Sequence, residues 1–573
     1  MKENKLKLVL CWHMHQPHYK DGLDGEYHLP WVYLHAIKDY TDMAAFLEEN
    51  PDSQVVVNYT PVLLEQLQEY AAMMRQWLKT GKAMNDPLLN LVSGATPIPD
   101  TVEQKSGIIA VCRRANAPTM IETLPDFKAL HEIANYYLTQ NSPSNRIHEY
   151  LNDQFYIDML IWYHIAWTGS SLRKTDDRLK QLMCKGRSFS AADQRLLVEI
   201  MVDSIEQIIP RYKQLQDQGQ IEISMTPYGH PIVPLLIDFR AMQDSQPDAP
   251  LPKYEKYPGG YGRSSWHMAH GIEIFKQHFD CAPRGVWLSE GALSSDALNL
   301  LDTFNIQWTA TGESVWRNSC KISHIEPERV SSKQVLFQPV NIRGKVCRIF
   351  FRDDGLSDLI GFQYKNWDPE NAVDHFIQNL ENIRTQFGDS ACEHVVSVIL
   401  DGENAWEYYP DNGSHFLPLL YKKLSNHPHI AMTTSSDALK QSLSVLELSR
   451  LNAGSWVYGS FSTWIGLKEK NHAWDLLVEA KYAYDQVIVS GKLATEQIKQ
   501  VTKQLAICEG SDWFWWFGDY NPSESVKDFD KLYRQHLKKL YYLLNLEPPA
   551  QLEIPISQGS KAAEGSGTMR CNA

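Results

Sequence analysis

The stretch "KLKLVLCWHMHQPH", residues 5–18, decides how the chain is read. Within its strand-like stretch over 5–12 the run from Leu8 to Trp12 is apolar without alternation, so both faces are built for burial, as in a parallel strand covered by helices. The run exits directly into His13, His15, Gln16 and His18, side chains that hydrogen-bond and titrate. A buried parallel strand ending in such groups fits a (β/α) barrel, where functional residues sit at the C-terminal strand ends.

Working outward, similar runs recur at 54–59, 220–226, 284–289, 305–311, 346–352 and 395–400, with a weaker one at 430–434. Amphipathic patterns lie between them, for example over 31–49, 61–78, 265–279 and 369–387. Seven or eight strands alternating with helices predict an α/β chain closed, or nearly closed, into a barrel. A doubly wound open sheet is the alternative, but no Gly-rich phosphate loop follows the first strand. The segment from about 80 to 218 is helical in pattern and reads as an insertion, giving an expected catalytic unit over 1–445. Past 450 the strands stop, and helical patterns at 470–489, 494–507 and 525–544 predict a C-terminal helical domain over 446–550 that completes a cleft. Residues 551–573, rich in Gly and Ser towards their end, read as a disordered tail.

The 573 residues carry a formal charge of −14, which argues against nucleic acid or anionic membrane as a partner. No run approaches the length of a membrane span. Nine cysteines without a CxxC pair, and an N-terminus without a signal-peptide pattern, place the chain in the cytoplasm. Seventeen Trp and 27 Tyr offer flat faces with polar edges, suited to sugar rings as well as to a large core.

The other strand exits repeat the pattern of the first. "TPYGHPIVPLL" (226–236) brings Tyr228 and His230, and "GVWLSEGALS" (285–294) brings Glu290. "FRDDGLSDLIGF" (351–362) brings Asp353, Asp354 and Asp358, and "ILDGENAWEYYPDNG" (399–413) brings Asp401, Glu403, Trp406 and Glu407. Five exits carrying such groups mark one rim as an active site. Carboxylates on separate strands suggest two-carboxylate glycoside chemistry, one side chain attacking carbon and the other moving protons.

In this order the five segments resemble the sequence regions of glycoside hydrolase family 57, closest to its amylopullulanase-like group, which also includes α-amylases and 4-α-glucanotransferases. "SWVYGSFSTWIGLKEKNHAW" (455–474) and "EGSDWFWWFGDYNP" (509–522) are similar to that family's helical domain, so the likeness covers about 5–545. The resemblance implies a (β/α)7 barrel, retention of configuration and an α-glucan or maltodextrin substrate. By motif position it makes Glu290 the nucleophile and Asp353 the acid/base, with Asp354 the rival one residue on. It lines the subsite around the cleaved bond with His13, His15 and His230, beside Gln16. It assigns Trp287, Asp354, Glu403, Trp406, Trp513 and Trp515 to substrate binding. Gly229 departs from the aromatic many relatives carry and is expected to open the cleft.

Simpler readings stand beside these. His13 and His15 alternate on a strand, as metal ligands can, but no local residue supplies a third ligand, so no metal and no cofactor are expected. Asp401 and Glu403 read equally well as architectural. The expected activity is retaining hydrolysis of α-1,4 or α-1,6 glucosidic bonds. A 4-α-glucanotransferase or a glycogen branching enzyme would use the same carboxylates, and a non-catalytic glucan-binding protein is the alternative from another class.

Overall fold

The computed structural model describes residues 4–139 and 151–561. Its centre is a ring of parallel strands. β1 (Leu6–Met14) pairs with β2 (Val55–Tyr59), and β2 pairs with β3 (Ile221–Met225). Met225 bridges to Val286, and Gly285 bridges to Trp308 of β4 (Trp308–Thr311). β5 (Val340–Ile342) lies outside the ring, antiparallel to β6 (Arg348–Phe351), which itself pairs with β4. Arg352 bridges to Ser397 of β7 (Val395–Asp401), and β7 pairs with β1. With Gly285–Val286 as the fourth position, the ring closes on seven parallel members. The fourth position needs glycine beside Trp308: a Cβ on Gly285 would lie 1.9 Å from that ring.

β8 (Ile430–Met432) pairs with the first half of β1, and β9 (Leu446–Leu448) pairs with β5. The sequence runs locate the ring members to within a few residues. β5 and β9, three residues each, are too short to register as apolar runs.

The ring has a distinct interior. Val9, Cys11, Val56, Trp287, Trp308, Ala310, Phe350 and Ile399 form one buried cluster, while Leu8, Leu10, Trp12, Val57 and Phe351 belong to the larger cluster that the surrounding helices cover. Residues paired in register on parallel strands share a face. His13, Asn58, Ser224 and Asp401 are so paired, and they continue the interior face towards the C-terminal strand ends.

Helices fill the segment between β2 and β3, ending in Ala191–Asp217, which packs on helix Pro61–Thr80. The C-terminal region contributes helices Lys468–Val489, Thr495–Cys508, Ser511–Trp516 and Ser523–Leu543. A buried charged knot ties it to helix Gly260–Phe279. Glu509 accepts from Arg263 Nη2 at 2.8 Å, His267 Nε2 at 2.8 Å and Tyr257 OH at 2.6 Å. Burial opposes charge on Glu509, yet Arg263 and His267 outweigh it and hold the carboxyl down to about 2.

The expected disordered tail divides. Ala550–Glu553 forms a 3-10 turn, Asp530 accepts from the backbone of Ile556 and Ser557, and Ser560 bridges to Pro522. Residues 551–561 are therefore tied to helix Ser523–Leu543 through Asp530, whatever their Gly/Ser content suggests. Residues 562–573 lie outside the described residues. No helix among the described residues is long and apolar enough to cross a membrane.

Candidate active site

A cavity of about 430 Å³ opens at the C-terminal ends of the ring, within the range of small-molecule sites. Its walls come from three parts of the chain. The ring supplies His13, His15, His230, Glu290, Arg352 and Asp401; the helical segment supplies Arg114 and Trp167; the C-terminal region supplies Trp456, Asp512, Trp515 and Trp516. Arg114 and Asp528, both on the wall, join the last two parts by an ion pair of 3.2 Å.

Glu290 follows the fourth ring member on a backbone that few residues adopt. Its φ is +59°, and Gly291 beside it has φ +56°, a left-handed conformation that costs a non-Gly residue energy and clusters at functional sites. Trp456 fixes the residue twice: its Nε1 donates to Glu290 Oε2 at 2.9 Å and its backbone N to Glu290 O at 3.1 Å. Trp287 does not reach the wall. It lies behind, 1% exposed, against Trp456 and His13, and so buttresses the carboxylate's partner.

The two carboxylate-rich exits that follow differ. Phe350 faces the ring interior, so Arg352 does too, and Asp353 turns outward. Asp353 is 4% exposed and does not line the cavity. Its Oδ1 accepts from Leu356 N at 2.8 Å, capping helix Asp354–Asp358, and its Oδ2 meets Lys333 at 3.3 Å. The motif-based placement of Asp353 opposite Glu290 is thus corrected. Asp354 is not on the wall either. It pairs with Arg352 at 2.6 Å, while Asp358 takes the other end of the guanidinium at 2.7 Å. Burial pushes the Asp354 carboxyl up to about 6 against the pull of Arg352.

At the second of these exits Asp401 borders the cavity, as do Glu403 and Glu407. Burial raises the Asp401 pKa, while a hydrogen bond from Asn404 and the charges of His15 and Arg352 oppose the shift. Arg352 also lies 5.4 Å from the Trp456 ring, so one cation touches the surroundings of both Glu290 and Asp401.

His13, His15 and His230 line the cavity together, each with a partner on a ring nitrogen. His13 Nδ1 is 2.7 Å from Asn58 Oδ1, His15 Nδ1 is 3.1 Å from Thr60 Oγ1, and His230 Nδ1 is 2.8 Å from Ser511 Oγ. His15 Nε2 is 2.8 Å from Asp512 Oδ1. The rings of His15 and His230 stack at 3.8 Å. Burial, with His15 adding to it, lowers the His13 pKa to about 3 and takes His230 well below the usual range, so both are neutral. Gln16 and Glu403 line the floor together: Glu403 Oε1 accepts from His15 N at 3.1 Å and from Gln16 Nε2 at 3.2 Å. Burial first, then Asp401, raises the Glu403 carboxyl well above its ordinary range.

Trp515 borders the cavity, but Trp406 and Trp513 do not. Trp406 packs on Trp12 and Tyr409 with its Nε1 on Gly402 O, and Trp513 sits among Tyr533, Phe529 and His536 with its Nε1 on Ile507 O. Both rings are core. Gly229 opens nothing either, since a Cβ there would meet Ala506 O at 2.9 Å and His267 at 3.3 Å. Reading the sequence by exits missed Arg352, Trp456 and Asp512. All three stood inside quoted motifs, Asp512 as the second residue of the short helix Ser511–Trp516 that carries Trp515.

A closed barrel whose rim presents buried carboxylates and histidines beneath aromatic walls is an arrangement that glycoside chemistry can use. The model of the family described as "Glycosyl hydrolase family 57" matches residues 9–447, and the chain belongs to that family. Among solved structures, a GH57 branching enzyme from the hyperthermophilic archaeon Thermococcus kodakaraensis is similar at 16% identity and TM-score 0.55, over 94% of this chain and 90% of that one. A GH57-type branching enzyme from Pyrococcus horikoshii aligns over 99% of both chains at 15% identity and TM-score 0.56. The α-amylase AmyC from Thermotoga maritima follows at 14% identity and TM-score 0.52, over 96% and 94%. At these identities the likeness establishes the fold, a (β/α)7 barrel with a C-terminal helical region. Comparison with curated protein sequences finds no match.

Proposed function

We propose that the protein is a cytoplasmic, retaining α-glucan hydrolase that cleaves α-1,4 glucosidic bonds of maltodextrins through a glycosyl ester on Glu290, with Asp401 as acid/base. The observation that carries this reading is that Glu290 and Asp401, from the fourth and seventh ring positions, border one cavity beside a shared Arg352, whereas Asp353 does not border it.

A raised pKa suits Asp401 to hold a proton in the resting enzyme. In the first step that proton passes to the glycosidic oxygen as a Glu290 oxygen bonds to the anomeric carbon and the carbon–oxygen bond breaks. In the second, the Asp401 carboxylate takes a proton from water, the resulting hydroxide oxygen bonds to the same carbon, and Glu290 leaves. Two displacements return the starting configuration. His13, His15 and His230 surround the reacting sugar and exchange hydrogen bonds with its hydroxyls, and Trp515 offers it a flat face.

Transfer to a sugar hydroxyl is the second reading, favoured by the aromatic wall of Trp515, Trp516 and Phe529, which can hold an acceptor and exclude water. Incubation with maltoheptaose separates the two. Hydrolysis gives shorter maltodextrins, a rise in reducing ends and the α-anomer first by NMR. Longer oligomers without a rise in reducing ends would instead establish a 4-α-glucanotransferase, and an unchanged substrate would overturn both readings.

A further inference from the structure

The two histidines of the His-x-His pair stay close, their rings 5.9 Å apart, but take different hydrogen-bond partners. His13 turns to Asn58, while His15 joins His230 and Asp512, residues that follow it by more than two hundred and by almost five hundred positions. One ligand atom from each of these three lies within 4.8 Å of the others. Two histidines and a carboxylate are a donor set that suits a zinc-type ion, with a fourth position left open.

The surroundings of the two rings match that use. A histidine that holds a metal engages its other ring nitrogen with a hydrogen-bonding partner, which fixes the ring and its tautomer. His15 Nδ1 is on the Thr60 hydroxyl and His230 Nδ1 is on the Ser511 hydroxyl, which leaves Nε2 of each ring for an ion. His230 itself is 1% exposed, and its Nε2 is buried without a hydrogen-bond partner among the described residues. A buried nitrogen left unmatched carries a free-energy penalty that a ligand removes. Asp512 Oδ1, 2.8 Å from His15 Nε2, completes the set.

We propose that His15, His230 and Asp512 form a binding site for a zinc-type divalent ion, and that the bound ion inhibits the enzyme by occupying the place of a sugar hydroxyl. The ion takes no part in catalysis. It links the ends of β1 and β3 to the C-terminal helix Ser511–Trp516, across the cavity wall, and the stacked rings open slightly to admit it. Metal binding stands apart from the proposed activity; only the inhibitory consequence rests on that reading.

Isothermal titration of the full chain with Zn²⁺ alone tests the site, together with the visible absorption of added Co²⁺. One equivalent of zinc and a tetrahedral cobalt spectrum are expected. Asp512→Asn and His230→Gln should each weaken zinc by at least about tenfold, a loss that even an outer partner of a metal site can cause, while thermal melts verify that the variants fold. Replacing the exposed Cys184 and Cys281 by Ser should leave that affinity in place. Zinc should raise KM for maltoheptaose without lowering kcat, and chelator should reverse it. Zinc that binds equally to both site variants, or no binding at micromolar concentration, overturns the site. Site-dependent binding with unchanged kinetics in an active enzyme overturns the inhibition alone, and a protein inert towards maltoheptaose overturns the proposed activity while leaving the titration to judge the site.

Discussion

The ends of β6 and β7 are neighbours in the ring and carry carboxylates in similar abundance, yet they use them in opposite ways. At β6 the inward residue is Arg352, and Asp354 and Asp358 clamp its guanidinium while Asp353 faces outward to cap a helix. At β7 the inward residue is Asp401, in register with His13. One exit builds a fixed cation and the other presents an acid. Counting carboxylates at a strand end therefore does not identify the catalytic one. Strand parity does, together with how soon a helix claims the next side chain as its cap.

This contrast is open to experiment, and the largest effect concerns the group both exits serve. Glu290→Gln removes the attacking oxygen, and kcat/KM for maltoheptaose should fall by roughly 10⁴-fold or more, beyond the 10²–10⁴ of a lost acid/base. A fall below about tenfold would mean that neither exit faces the nucleophile.

Arg352→Gln sharpens the comparison by leaving Asp354 and Asp358 buried without their cation. Folding stability should drop by about 3–5 kcal/mol, read by denaturant unfolding. The same change alters the pH profile. Asp401 is faced by Arg352, His15, Glu403 and the Asn404 amide; losing the positive charge raises its pKa further. The first step needs Asp401 protonated, so activity declines as pH rises through that pKa, and the alkaline limb of kcat/KM should move to higher pH. A limb that stays in place or moves down would detach Arg352 from the acid.

The smallest effects separate wall from core. Trp515→Ala should raise KM by roughly fivefold, for about 1 kcal/mol of lost ring contact, with a smaller loss of melting temperature than Trp513→Ala, because its largely buried ring also borders the cavity. Trp513→Ala should do the reverse, costing about 3–5 kcal/mol of stability with a modest change in KM for the protein that remains folded.

Much of the fold was legible because parallel strands are apolar on both faces, and "KLKLVL", "QVVVNY" and "VVSVIL" stand out from amphipathic helices. The same property hid the site's finer geometry. "IFF" at 349–351 is apolar on every residue, so it gives no parity, and the outward turn of Asp353 could not be read from it. Trp406 and Trp513 look like sugar platforms in a motif, but whether an indole meets solvent depends on packing from Trp12 and Tyr533, distant in the chain. Asp512 reaches His15 across nearly the whole sequence, and no local spacing announces such a partner. His13, His15, His230 and Glu290 were legible because each lies at, or within about five residues of, the C-terminal end of a ring member, where the barrel itself fixes position.

The assignment of the acid is tested most directly by leaving-group dependence in two variants. A substrate with a good leaving group, such as α-maltosyl fluoride, departs without a proton, whereas maltoheptaose needs one. Asp401→Asn should lose roughly 10²–10⁴-fold in kcat/KM on maltoheptaose and retain most of it on the fluoride. Asp353→Asn should keep both activities within a few-fold and leave stability nearly unchanged, since Asn caps a helix about as well as Asp. If Asp353→Asn instead shows the selective loss on maltoheptaose and Asp401→Asn does not, the proton comes from β6 and the account is wrong.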